Sequence, residues 1–89
     1  MAYRFDVVGY MDWDNQRHSI PADESGNRPE LDSLMDPEDA KGLWVRAVDE
    51  DDPEDLHMFW AYVYDPFEDW SEWYVYIGAL MDQYGLELA

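Results

Sequence analysis

No lysine or arginine follows Arg46 in this 89-residue chain, although residues 47–89 carry twelve Asp and Glu. That imbalance is the tightest constraint on what the chain can fold into. Every element built from its second half must bury apolar surface while holding like charges apart. All five basic residues, Arg4, Arg17, Arg28, Lys41 and Arg46, lie in residues 1–46 beside ten acids, and the formal net charge is −17. Solubility alone needs a net charge of magnitude roughly 2–8 with both signs interspersed. The excess and the segregation together predict a one-signed surface over much of the C-terminal half.

Acidic chains poor in aromatic residues stay unfolded. Here 47% of residues are hydrophobic and 17% aromatic, with five Trp and seven Tyr, enough large apolar surface to hold a small core. The length allows one domain, residues 1–89. Cysteine is absent, which excludes disulfides, thiolate catalysis and Cys-based zinc sites. No apolar run resembling a signal peptide follows Met1-Ala2-Tyr3-Arg4-Phe5-Asp6. The longest apolar stretches, Met58–Tyr64 and Trp73–Met81, are far shorter than the roughly 18 residues a membrane helix needs. A cytoplasmic protein with no membrane contact is expected.

Local patterns give an order of elements. Tyr3–Tyr10 alternates loosely and suits a strand. Residues 11–29 are polar, carry Asp14-Asn15 and Ser25-Gly26-Asn27, and read as a loop or a long hairpin connection. Glu30–Lys41 suits one or two short helical turns, with Asp36 capping before Pro37 and Gly42 as the stop. Leu43–Asp49 alternates as a second strand. Leu56–Tyr64 is strand or helix by pattern. Its β-branched and aromatic content favours the strand, with Asp51-Asp52-Pro53 as the intervening turn. The last segment predicts a helix over about 66–84. Asp65 caps it, Pro66 takes the first position, Glu68 completes a capping box and Gly85 ends it. Trp70, Trp73, Tyr74, Ile77, Leu80, Met81 and Tyr84 form its apolar stripe, and its acids lie to one side of that stripe. The fold class is therefore α+β: a small antiparallel sheet packed by a C-terminal amphipathic helix. The tetrad Asp36-Pro37-Glu38-Asp39 recurs as Asp52-Pro53-Glu54-Asp55, which reads as reused turn chemistry.

Catalysis has little support. His18 and His57 are far apart and neither has metal-ligand spacing, and no phosphate-cradling Gly-rich loop or G-x-S-x-G elbow occurs. With 22 acids, a carboxylate pair at any separation arises by chance. Asp12-Trp13-Asp14-Asn15-Gln16 starts like a calcium loop, but its sixth position is Arg17 where glycine is required, and its twelfth is Asp23. No enzyme activity, metal or cofactor is expected.

Direct nucleic-acid binding is opposed by the charge, since phosphate contacts need Lys and Arg. The inverse is attractive. Carboxylates two apart on a strand, or three to four apart on a helix, repeat at roughly 5–7 Å, comparable to successive phosphates of a nucleic acid. Asp49/Asp51 and Asp65/Asp69/Glu72 have such spacings. The candidate partner-binding residues are Asp49, Glu50, Asp51, Asp52, Glu54 and Asp55 together with Asp65, Glu68, Asp69 and Glu72. Trp44, Trp60 or Tyr76 would supply exposed aromatic contacts beside them.

In these respects the whole chain resembles the acidic DNA-mimic inhibitors of phages and mobile elements. That group includes anti-CRISPR proteins, antirestriction proteins and the uracil-glycosylase inhibitor. The resemblance implies a non-catalytic inhibitor that blocks the nucleic-acid site of a basic host protein: a CRISPR effector complex first, a restriction or repair enzyme next. Two other readings fit the charge. One is an immunity protein or antitoxin neutralising a basic nuclease toxin, and the other is a generic acidic domain of halophilic type.

Overall fold

The alternation in Leu43–Asp49 becomes, on folding, a division between the two faces of a sheet. The computed structural model describes residues 2–89. Four strands, β1 (Tyr3–Met11), β2 (Arg17–Ser19), β3 (Gly42–Asp49) and β4 (Leu56–Tyr62), precede one helix, α1 (Trp70–Gln83). Two single-turn 3-10 helices, Leu31–Ser33 and Pro37–Asp39, lie between β2 and β3. The strands form one antiparallel sheet in the order β2-β1-β3-β4. Leu56–Tyr62 is thus the strand its composition favours, and the architecture is the small α+β fold expected.

Leu43, Val45 and Ala47 turn to one face with Ala61 of β4, and all are fully buried. Trp73, Ile77 and Met81, at helical spacing on α1, join the same core and are fully buried too. Two polar contacts fix how the helix lies: Trp73 Nε1 donates to Pro37 O at 3.1 Å, and Tyr76 Oη donates to Tyr62 O at 2.7 Å. The molecule is only about 20 Å deep in its thinnest direction, the depth of a sheet and one helix layer. Among the described residues, no second layer of secondary structure therefore covers the other sheet face.

A bulge in β1 resets its alternation. Val7 pairs with Val45, but Gly9 pairs with Trp44, so Val8 is the extra residue. Val8 O accepts from Ile20 N at 3.0 Å, and Gly9 lies on the open face against the Trp44 ring. The polar segment 11–29 is more ordered than its composition suggests. Asp12 Oδ1 accepts from the Asp14 and Gln16 amides, and Asp23 Oδ1 accepts from the Ser25 and Asn27 amides. Each turn uses a left-handed residue at its fourth position, Asn15 (φ 63) and Gly26 (φ 83). The first of these turns closes the β1–β2 hairpin. Both Asp-Pro-Glu-Asp tetrads also close alike: Asp39 N donates to Asp36 O and Asp55 N to Asp52 O, each at 3.0 Å.

Two expectations are corrected. Gly42 does not stop a helix; it opens β3. A Cβ there would sit 2.3 Å from the Trp60 ring, so the bare Cα is the seat on which that indole packs. The helix starts at Trp70, not at Pro66, and its N-cap is Asp69, whose Oδ1 accepts from Glu72 N at 3.0 Å. Phe67 supplies the reason. Its ring meets Trp73 edge-on at 5.0 Å and Tyr76 at 5.8 Å. Residues six and nine apart on one continuous helix point about 120° and 180° away from each other. The chain therefore has to bend before the helix begins. The C-terminus ends as expected: Leu86 N donates to Met81 O and Gly85 N to Asp82 O, with Gly85 left-handed at φ 74, which is a Schellman motif.

The Ser71 hydroxyl, then the Glu72 amide, hold the Asp69 carboxyl below its ordinary pKa. Its capping contribution is therefore present at neutral pH and lost as pH falls through and below the usual carboxylate range. Asp69→Ala should cost about 1 kcal/mol in urea unfolding at pH 7. Asp65→Ala, the cap expected from sequence, should change stability by less than about 0.5 kcal/mol.

Candidate functional site

The β3–β4 hairpin and the β4–α1 connection place the two acidic clusters at opposite ends of the sheet. β3 ends at Asp49 and β4 begins at Leu56, so residues 50–55 form the turn at one end. β4 ends at Tyr62, opposite Gly42, and residues 65–69 lead into α1 at the other end. Six residue steps along β4 separate the ends by about 20 Å. The clusters form two acidic poles, not one continuous acid face.

At the first pole Glu50, Asp51, Asp52 and Glu54 are exposed. Asp49, expected on this surface, is only 2% exposed and points inward at the end of β3; a partner cannot reach it. Its Oδ1 accepts from Asp51 N at 2.9 Å, which makes it part of the turn, while its Oδ2 is buried without a hydrogen-bond partner. Asp55 is half-buried and already engaged, accepting from Tyr3 Oη at 2.8 Å and lying 3.0 Å from His57 Nε2. The bond to Asp55, burial, and the fields of Asp55, Asp49 and Asp52 push the Tyr3 hydroxyl up to about 12. The expected strand spacing of Asp49 and Asp51 does not occur, because the strand ends at Asp49.

At the second pole Asp65, Glu68, Asp69 and Glu72 are all exposed. Only Glu72 belongs to the helix, so the expected helical array of these acids is not formed. Glu72 Oε2 instead reaches back to accept from Glu68 N at 3.1 Å. The Trp73–Pro37 bond brings the turn bearing Asp36, Glu38 and Asp39 beside this pole, and these three acids are exposed as well. The repeated Asp-Pro-Glu-Asp tetrad was the signal that could have found them.

The cations go elsewhere. Arg28 and Arg46 both pair with Asp6, with Arg46 Nη2 3.0 Å from Asp6 Oδ2. Arg17 lies 5.4 Å from the centre of the Trp44 ring, and Lys41 lies 5.5 Å from that of Tyr62. Arg4 pairs across β1 with Val48 on the uncovered face. Among the described residues, Asp6 is the one carboxylate in an ion pair with Arg or Lys; the acids of both poles have none.

Of the aromatics expected to be exposed, Trp44, Trp60 and Tyr76 are half-buried. Trp44 and Trp60 pack together with ring centroids 4.1 Å apart. The exposed ones are Tyr64 (85% exposed), Tyr84, Tyr74 and Trp13. Among the described residues, no group of three or more His, Asp or Glu side chains is placed to hold a metal ion. Among the described residues no helix is long and apolar enough to cross a membrane. The chain matches no protein-family model, and neither the curated proteins nor the solved structures provide a significant match.

The raised Tyr3 pKa has a defined sign. A group that holds its proton more tightly when folded contributes stability that is complete below its unfolded value, near 10, and lost as pH climbs toward 12. Tyr3→Phe should therefore be less stable than the parent below pH 10. The gap in urea midpoint between the two should close between pH 10 and 12.

Proposed function

We propose that this protein is a non-catalytic inhibitor that presents nucleic-acid-like charge to the nucleic-acid-binding site of a basic host defence protein, a CRISPR effector complex being the first target to test. The observation that carries this reading is that, among the described residues, no Lys or Arg pairs with a carboxylate of either pole. Acids kept for solvation or local stability are ordinarily interspersed with cations. Here the cations are gathered on one sheet face, and both poles remain uncompensated. A basic groove meeting these poles would release its counter-ions and associate quickly under electrostatic steering.

On this reading the working residues are the exposed acids without a structural bond, namely Glu50, Asp51 and Glu54 at one pole and Asp65 and Glu68 at the other. Asp52, Asp55, Asp69 and Glu72 contribute charge while also holding local structure. The protein acts in the cytoplasm, where such targets operate, binds no nucleic acid itself and needs no cofactor.

The test is capture of partners on the tagged protein from nuclease-treated host lysate, followed by elution with competing duplex DNA and identification by mass spectrometry. A nucleic-acid-binding defence protein released by DNA is the expected result. A partner that DNA cannot displace would favour the antitoxin reading. With the partner in hand, Glu50→Lys/Asp51→Lys/Glu54→Lys combined with Asp65→Lys/Glu68→Lys should abolish binding and leave the circular dichroism unchanged. Raising salt from 50 to 200 mM should weaken the parent complex by about tenfold or more. Unchanged affinity in the reversed variant would sink the proposal.

A further inference from the structure

β4 is an edge strand without the usual protection. Edge strands carry Lys, Pro, a bulge or a cover that discourages pairing. Leu56-His57-Met58-Phe59-Trp60-Ala61-Tyr62 has no Lys, Arg or Pro and pairs in regular register with β3. Bonds from Asp49 N to Asp55 O and from Val63 N to Lys41 O fix its orientation. In an antiparallel ladder such bonds recur at every second residue, so 57, 59 and 61 face β3 while 56, 58, 60 and 62 face outward. The Tyr76 hydroxyl confirms the parity by donating to the outward Tyr62 O. Among the described residues nothing pairs with the outward backbone groups of Met58 and Trp60. A groove of about 610 Å³ runs beside them, lined by His57, Met58, Phe59, Trp60, Tyr84 and Leu86.

We propose that this edge receives an extended segment of the protein partner, added as a fifth strand, with apolar side chains in the groove and Lys or Arg at each end. The proposal rests on reading the acidic poles as the attraction for a basic partner. Charge chooses the occupant. The edge runs from Glu54 and Asp55 to Asp65, so a strand laid along it in either direction meets carboxylates at both of its ends. A second copy pairing β4 with β4 antiparallel would bring Asp55 of each chain near Asp65 of the other, like charge against like. Main-chain bonds would supply affinity along the edge, and the groove would select alternate apolar side chains.

Two nine-residue peptides test this against 15N-labelled protein. One is Lys-Arg-Val-Thr-Val-Thr-Val-Arg-Lys; the other replaces its centre with Gly-Ser-Gly-Ser-Gly and keeps the same charges. The strand-forming peptide should bind about tenfold or more tightly than the flexible one. It should also slow hydrogen exchange at the Met58 and Trp60 amides. Met58→Pro removes an outward N–H that β3 does not use, and should bring the two affinities together. The exchange readout on the parent protein stands even if that variant folds poorly. Equal binding of the two peptides without amide protection would overturn the edge and leave the electrostatic reading intact. If neither peptide binds, both readings fail. Protection of both amides in concentrated, peptide-free protein of dimeric mass would assign the edge to a second copy and overturn the proposal.

Discussion

Burial of the α1 stripe against the sheet is the interaction on which the rest of this protein depends. Trp73, Ile77 and Met81 lose all contact with water, as do Leu43, Val45, Ala47 and Ala61 beneath them. Burial of a large apolar side chain stabilises by roughly 1.5–3 kcal/mol. These contacts have to offset the mutual repulsion of a chain with net charge −17. The fold limits that repulsion by distance: the acidic poles stand about 20 Å apart along β4, beyond the screening length of about 8 Å at physiological salt. Repulsion is then mainly a matter within each pole.

Some of the acids also shape the backbone. Asp12, Asp23, Asp49, Asp52 and Asp69 each accept a hydrogen bond from a main-chain amide in a turn or at the helix start. Such a carboxylate anchors local structure whatever the partner. On the proposed function, the exposed acids at the two poles that make no such bond are the ones available for recognition. Spacing along the chain does not separate the two groups, since Asp49 and Asp51 lie in the same run and only Asp51 is exposed. The open sheet face divides the labour in the opposite sense. Asp6 holds two arginines there, two further cations lie over aromatic rings, and the face is an apolar and cationic surface between acidic ends.

Much of the architecture was legible because its signals are local. Alternation fixed β3, β-branched and aromatic content favoured β4, and the apolar stripe with Gly85 fixed the body and end of α1. The helix start was misplaced because Asp65-Pro66 reads locally as a valid cap, whereas the actual start at Trp70, capped by Asp69, rests on how Phe67 meets Trp73 and Tyr76. The pairing of β2, a strand of three residues, was hidden inside a polar loop. Gly42 looked like a helix stop because its role as a seat for the Trp60 ring exists only once β3 and β4 pair.

The sequence by itself determined an α+β domain, an uncompensated acidic C-terminal half and the identity of the acids that make it so. Those properties follow from composition and from periodicities of a few residues. Only the tertiary structure decided that the acids divide into two poles, that Asp49 turns inward, that the cations collect on the uncovered sheet face and that the edge of β4 is left open. Each of these depends on which strands pair and in what register, and that is set by long-range burial of apolar surface, which no local window of the sequence contains.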